Sequence, residues 1–251
     1  MRARPRGARV RHEAGGDRLG WLIAACVLAT AVLAALVAAL PGRGSAGQAH
    51  RPLLRVLPLG DSITWGEGSP TRSSYRADLW DLVAGQSRYA IRFVGSQVSG
   101  KLPEPRNEGH PGYTIGQVRA RVDRWTAAAR PDVVLLHIGI NDLHRHVDPA
   151  HAPQRLAGLV DRIYADRPGV RVVLMGLIPT TPGLTAQAEA YNRGAAALQR
   201  TERARGRSFW YVAPPALTRA QMADRLHPDD AGYARIARAF FPALTAAATA
   251  R

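Results

Sequence analysis

The chain has 251 residues, 46% of them apolar, with a formal net charge of +15 and a single cysteine. That content suits a globular body with a sizeable core and excludes a disulfide-stapled scaffold, because Cys26 has no partner within the chain. The excess of arginine permits attraction to anionic polymers or headgroups, but after residue 49 the basic residues are scattered among Asp and Glu. They form no aromatic-interleaved stripe and no nucleic-acid motif, so no nucleic-acid partner is expected.

Arg2, Arg4, Arg6, Arg9, Arg11 and Arg18 precede Trp21 to Leu40, a run without charge, Gly or Pro that Pro41-Gly42 closes. Residues 1–20 read as a basic cytoplasmic flank, and residues 21–40 as either the apolar core of a signal peptide or an uncleaved membrane anchor. The run is long enough to span a bilayer core of about 30 Å as a helix. Gly47-Gln48-Ala49 supplies the small residues that a signal peptidase reads, so cleavage and retention both stay open. Either way the remainder faces outward, secreted or held at the outer face of the cytoplasmic membrane. Ile23-Ala24-Ala25-Cys26 superficially resembles a lipoprotein cleavage box, but the apolar stretch before the cysteine is too short, and lipidation is not expected. Seven Arg against Glu13 and Asp17 place +5 in residues 1–49 and leave +10 for the exported part. A linker over residues 41–52 leads into one domain over residues 53–248, with no second linker and no repeat, and a monomer is expected.

Leu53 to Leu59 predicts a first strand, Tyr75 to Gln86 a helix with Leu79, Leu82 and Val83 on one face, and Tyr89 to Gly95 a second strand. A Pro/Gly/Asn-rich loop over 100–112 precedes a helix predicted from Thr114 to Arg130, which Pro131 stops. Asp132 to Ile138 is a short continuous apolar run, the pattern of a strand covered on both faces. A helix over 152–166, a strand over 170–176, a helix over 185–205, a strand over 208–213 and a closing helix from Pro228 to about Ala247 complete the alternation. Strands separated by helices imply right-handed crossovers, and therefore a three-layer α/β/α sandwich around a five-stranded parallel sheet. In such folds ligands bind at the carboxyl ends of the strands.

Four segments fall at those ends. Ser62, in Gly60-Asp61-Ser62, directly follows the first strand, where its hydroxyl can be exposed; an Asp or Ser there also caps helices. The sequence is not a Gly-x-Ser-x-Gly elbow, because Thr64 occupies the last position, and no Gly-Lys-Ser/Thr phosphate loop follows. Near the end of the chain, Asp224 and His227 stand three residues apart. On one turn the carboxylate can accept from one imidazole nitrogen while the other faces a serine, which is the logic of a hydrolase triad. Gly139-Ile140-Asn141 follows the third strand, and the Asn141 amide can meet a developing negative oxygen. The Gly112 N–H can approach a substrate in the same way. Asp61, Tyr113 and Gly139, beside these groups, are expected to contact substrate.

Taken together, Gly60-Asp61-Ser62, Gly112, Gly139-x-Asn141 and Asp224-x-x-His227 resemble, in order, the four blocks of the SGNH or GDSL-type hydrolase family. The resemblance implies a flavodoxin-like strand order of 2-1-3-4-5. It also implies Ser62 as nucleophile, His227 as general base, Asp224 as its partner, and an oxyanion hole built from the Ser62 and Gly112 amides and the Asn141 side chain. Ser74-Tyr75-Arg76, Phe93-Val94-Gly95-Ser96-Gln97 and Glu108-Gly109-His110-Pro111-Gly112-Tyr113 are similar to the branch that contains carbohydrate esterase family 3 acetylxylan esterases. The implied activity is ester hydrolysis, most directly removal of O-acetyl groups from carbohydrate, with an acylated small molecule or polysaccharide as substrate. The alternatives are a lipid esterase or lysophospholipase and a non-catalytic glycan-binding module. The chemistry requires no metal or organic cofactor. His144, His146 and His151 read as surface residues and His137 as a core residue.

Overall fold

The computed structural model describes residues 51–179 and 182–250. The expected export segment, Cys26 and the linker up to residue 50 lie outside the described residues. In chain order the elements are β1 (Leu53–Gly60), α1 (Ser62–Trp65), α2 (Ser74–Ala84), β2 (Ala90–Phe93), β3 (Gln97–Val98), β4 (Arg106–Gly109), α3 (Ile115–Arg119), α4 (Val122–Ala129) and β5 (Val133–His137). They continue through α5 (Ile140–His144), α6 (Ala152–Asp166), β6 (Arg171–Met175), α7 (Thr185–Ala204), β7 (Phe209–Val212) and α8 (Asp230–Thr249).

β2, β1, β5, β6 and β7 pair in parallel in that spatial order, which is the 2-1-3-4-5 arrangement expected for the five predicted strands; β3 and β4 bring the sheet to seven strands instead of five. Alternation along each strand feeds two cores. Leu57, Leu59, Val134, Leu136, Val172 and Leu174 point to one face and pack with residues of α3, α4, α6 and α7. Val56, Val133, Leu135, Val173 and Met175 point to the other face and pack with Tyr75 and Leu79 of α2 and Ile236 and Phe240 of α8. β5 is buried along its whole length, as its unbroken apolar run requires.

Two local differences from the sequence expectation matter for the site. The segment read as a loop over 100–112 contains β4, which pairs in parallel with the carboxyl end of β1 (Leu59 with Glu108, Gly60 with Gly109) and antiparallel with β3. β1 is thus flanked on one side by β2 over its first half and by β4 at its end. The helix predicted from Thr114 to Arg130 is two helices, α3 and α4, because the chain leaves helical geometry at Arg121 (φ −132°). The periodicity carries no mark of that break, since Ile115, Val118, Val122 and Trp125 all stay on the core side.

Candidate active site

β1 delivers the chain to the carboxyl edge of the sheet at Gly60. A Cβ at this position would run into the His137 carbonyl oxygen of β5, so the tight exit requires glycine. Asp61 then caps α1, its Oδ1 accepting from the Ile63 N–H at 3.0 Å. Ser62 is the first residue of α1, and Arg76 holds the other end of that short helix. The buried Arg76 guanidinium donates to the Thr64 carbonyl (3.1 Å) and the Trp65 carbonyl (3.2 Å), and also to Arg72, Ser99 and Pro105. Burial pulls its pKa down to about 10, so it stays charged at neutral pH and faces the negative end of the helix. In the sequence Arg76 stands out only as part of Ser74-Tyr75-Arg76. The signal for this role is an arginine on the otherwise core-facing side of α2.

Ser62, His227 and Asp224 meet at this edge. His227 Nε2 lies 2.9 Å from Ser62 Oγ, and His227 Nδ1 lies 2.8 Å from Asp224 Oδ2. With Nδ1–H donating to the carboxylate, Nε2 is the nitrogen left to accept the serine proton. Asp224 Oδ1 accepts from the backbone N–H groups of Leu226 and His227, each at 2.7 Å. Burial would raise the Asp224 pKa, but the His227 ring, these two N–H groups and the imidazole charge together hold it below the usual carboxylate value. The turn itself is pinned by the Ala223 N–H donating to the His227 carbonyl (2.9 Å) and by Arg219 donating to the Asp224 carbonyl (2.8 Å). Ser62 is 5% exposed, whereas the side chains of His227 and Asp224 are 18% and 55% exposed, so the constellation lies open to solvent on the side of the carboxylate.

The candidate oxyanion donors are stitched to the same edge. The His110 N–H donates to the Gly60 carbonyl (3.0 Å), and the Tyr113 N–H closes a turn onto the His110 carbonyl (3.0 Å) with Gly112 at φ +78° inside it. Asn141, on α5 after β5, donates from Nδ2 to the Tyr113 carbonyl at 3.0 Å, which leaves its second amide hydrogen free. The N–H groups of Ser62 and Gly112 donate to no acceptor among the described residues. Beneath this turn, Glu108 accepts from the Ser96 N–H (2.8 Å) and hydroxyl (2.7 Å) and pairs with His110 Nε2 at 2.7 Å. The His110 ring is stacked between Trp125 and Tyr113, with centroids at 4.4 and 4.8 Å. Glu108 and His110, which the sequence marks only by the branch resemblance, form the support under the turn.

Two of the residues expected to touch substrate are corrected. Asp61 is fully buried, capping α1, and burial pushes its carboxyl up to about 7 against the pull of the Ile63 N–H and the His227 imidazole. Gly139 is buried beneath Tyr191, whose hydroxyl would lie 2.8 Å from a Cβ at that position. Asp61 serves as the cap of α1 and Gly139 as the seat of the Tyr191 ring. The ring of partly exposed Tyr113 packs on His110 and lies under the Arg121 guanidinium (5.4 Å), so its contribution at the site is its carbonyl. His137 is fully buried, and burial lowers its pKa to about 4, consistent with a neutral core residue. His144, His146 and His151 are exposed, and the His151 ring pairs with Asp148 at 2.9 Å.

A hydroxyl, an imidazole and a carboxylate in series beside two free N–H groups and a side-chain amide can transfer an acyl group and stabilise the charge that forms. Comparison with known proteins agrees with that chemistry. The GDSL-like Lipase/Acylhydrolase family profile matches residues 59–235. The chain is 27% identical over 190 residues to Esterase TesA of Pseudomonas aeruginosa, covering 75% of this chain and 87% of that protein. Its fold superposes with a TM-score of 0.70 on a Clostridium thermocellum family 3 carbohydrate esterase, at 30% identity over 78% of this chain and 97% of the other. A family 3 carbohydrate esterase from Talaromyces cellulolyticus shares the fold, with a TM-score of 0.68 at 22% identity over 78% and 98% of the two chains.

Proposed function

The chain belongs to the GDSL-like lipase/acylhydrolase family and is a carboxylic ester hydrolase, and on that footing we propose that it is an exported serine esterase that removes O-acetyl groups from carbohydrate. The observation that carries the mechanism is the relay from Ser62 Oγ through His227 to Asp224, 2.9 and 2.8 Å, closed by residues 165 positions apart. Ser62 attacks the ester carbonyl while His227 Nε2 takes its proton, and Asp224 steadies the imidazolium that results. The carbonyl oxygen gains charge against the Ser62 and Gly112 N–H groups and the Asn141 amide. His227 then protonates the departing alcohol, and water repeats both transfers on the acyl-enzyme.

Similarity to a family 3 carbohydrate esterase over nearly its whole length supports the acetyl-carbohydrate substrate. So does the exposure of Asp224 at the rim, which leaves room for a polymer lying across it. The arginine-rich flank ahead of the apolar run over 21–40 supports export, with that run cleaved or kept as an anchor. Among the described residues no helix is long and apolar enough to cross a membrane.

A substrate panel tests the choice of acyl group. Acetylated xylo-oligosaccharides and 4-nitrophenyl acetate are expected to exceed 4-nitrophenyl esters of eight or more carbons by about tenfold or more in kcat/KM, the scale on which pocket size discriminates. Long-chain esters outpacing acetyl esters would select a lipid esterase instead. Absence of hydrolysis across the panel would select a binding module.

A further inference from the structure

We propose that Arg145 is a specificity determinant that binds an anionic group, a carboxylate or a phosphate, carried by the substrate close to the scissile ester. The inference rests on the assignment of Gly112 and Asn141 as oxyanion donors. Arg145 caps α5 at its carboxyl end, and its backbone N–H is bonded to the Asn141 carbonyl at 3.1 Å. The two side chains are therefore four positions apart on one helix face. Both turn toward the segment 110–113. The Asn141 amide reaches the Tyr113 carbonyl, and the Arg145 guanidinium lies against Gly112 so closely that a Cβ on that glycine would stand 2.7 Å from Nη2. The row of donors that begins with the Gly112 N–H and the Asn141 amide thus continues outward as a cation.

That cation is unspent. Arg145 is exposed, and its guanidinium makes no hydrogen bond or ion pair with any described residue. The acids nearest to it in the chain are already committed. Asp142 accepts from Arg155 at 3.0 Å and from the Ile115 N–H at 2.9 Å, and Asp148 pairs with His151 and Arg155. A planar guanidinium with its donors free matches a carboxylate or phosphate by charge and by fork geometry. With the carbonyl oxygen held at Gly112, such a group would lie a few bonds from the reacting carbon. Arg225, exposed in the turn between Asp224 and His227, adds a second cation to the rim.

The test compares kcat/KM for O-acetylated glucose with that for O-acetylated glucuronic acid and O-acetylated glucose phosphate, in the full-length protein and in its Arg145→Ala, Arg145→Lys and Arg145→Glu variants. The ratio of anionic to neutral substrate is expected to fall about 10- to 100-fold in Arg145→Ala, the weight of a charge-assisted hydrogen bond. Arg145→Lys is expected to recover part of the ratio and Arg145→Glu to lower it further, with the wild-type ratio shrinking as salt rises. The arm with the larger drop identifies carboxylate or phosphate. A buttress that merely supports Gly112 would slow all three substrates alike and leave the ratio unmoved, and that result overturns the proposal. Failure of the wild type to hydrolyse any of the three overturns the acetyl-carbohydrate reading on which the proposal rests, which is a different outcome from an unmoved ratio.

Discussion

Replacing Ser62 by alanine is expected to reduce turnover of a short acyl ester by about 10⁵- to 10⁶-fold, the scale on which a serine nucleophile acting with its histidine contributes. The expectation is that large because the other groups at the edge of the sheet, without the hydroxyl, can only bind the carbonyl and polarise it. The variant should fold normally. Ser62 Oγ bonds to His227 alone, whereas the position of α1 is set by the Asp61 cap and by Arg76 on the Thr64 and Trp65 carbonyls. Steady-state rates beside a thermal melt check both halves of the expectation. A rate near that of the wild type would remove Ser62 from the reaction.

Asn141→Ala is expected to lower kcat about 100- to 1,000-fold with KM changed much less, because the amide meets an oxygen whose charge appears only in the transition state. Part of the loss has a second physical source. The same side chain donates to the Tyr113 carbonyl at 3.0 Å, so its removal also loosens the turn that carries Gly112. The support beneath that turn limits this contribution, since the Glu108–His110 pair and the Trp125 stack are untouched by the substitution. An unchanged kcat would contradict the assignment of Asn141.

The long elements were legible because their patterns are local. The apolar runs of β1 and β5 mark buried strands, and the apolar spacing of α6 and α7 states a period and a buried face. β4 was not legible. Arg106-Asn107-Glu108-Gly109 has no apolar alternation, and its place in the sheet comes from pairing with β1 and from buried polar bonds such as Asn107 Oδ1 with the Gly109 N–H. α1 and α5 are too short to show a period, and their ends depend on tertiary partners such as Arg76.

At the site, Ser62, Asp224 and His227 were legible as a set because chain order and spacing specify a relay even when each residue alone has a commonplace alternative. Asp61 and Gly139 misled for the opposite reason. Lying next to reactive residues in sequence, they turn inward in the fold, one to cap α1 and the other to accommodate Tyr191. The support that Glu108 and His110 give to the Gly112 turn, and the approach of Arg145 to it, depend on α4, β4 and α5 coming together. No single segment encodes that meeting.

The central claim, that Ser62 is an activated nucleophile, is tested most directly by reacting the protein with a fluorophosphonate and mapping the adduct by mass spectrometry. One equivalent of label on the peptide containing Ser62, absent in Ser62→Ala and strongly slowed in His227→Ala, is the predicted result. An unlabelled protein, or label on another residue at the same rate in all three proteins, would contradict it.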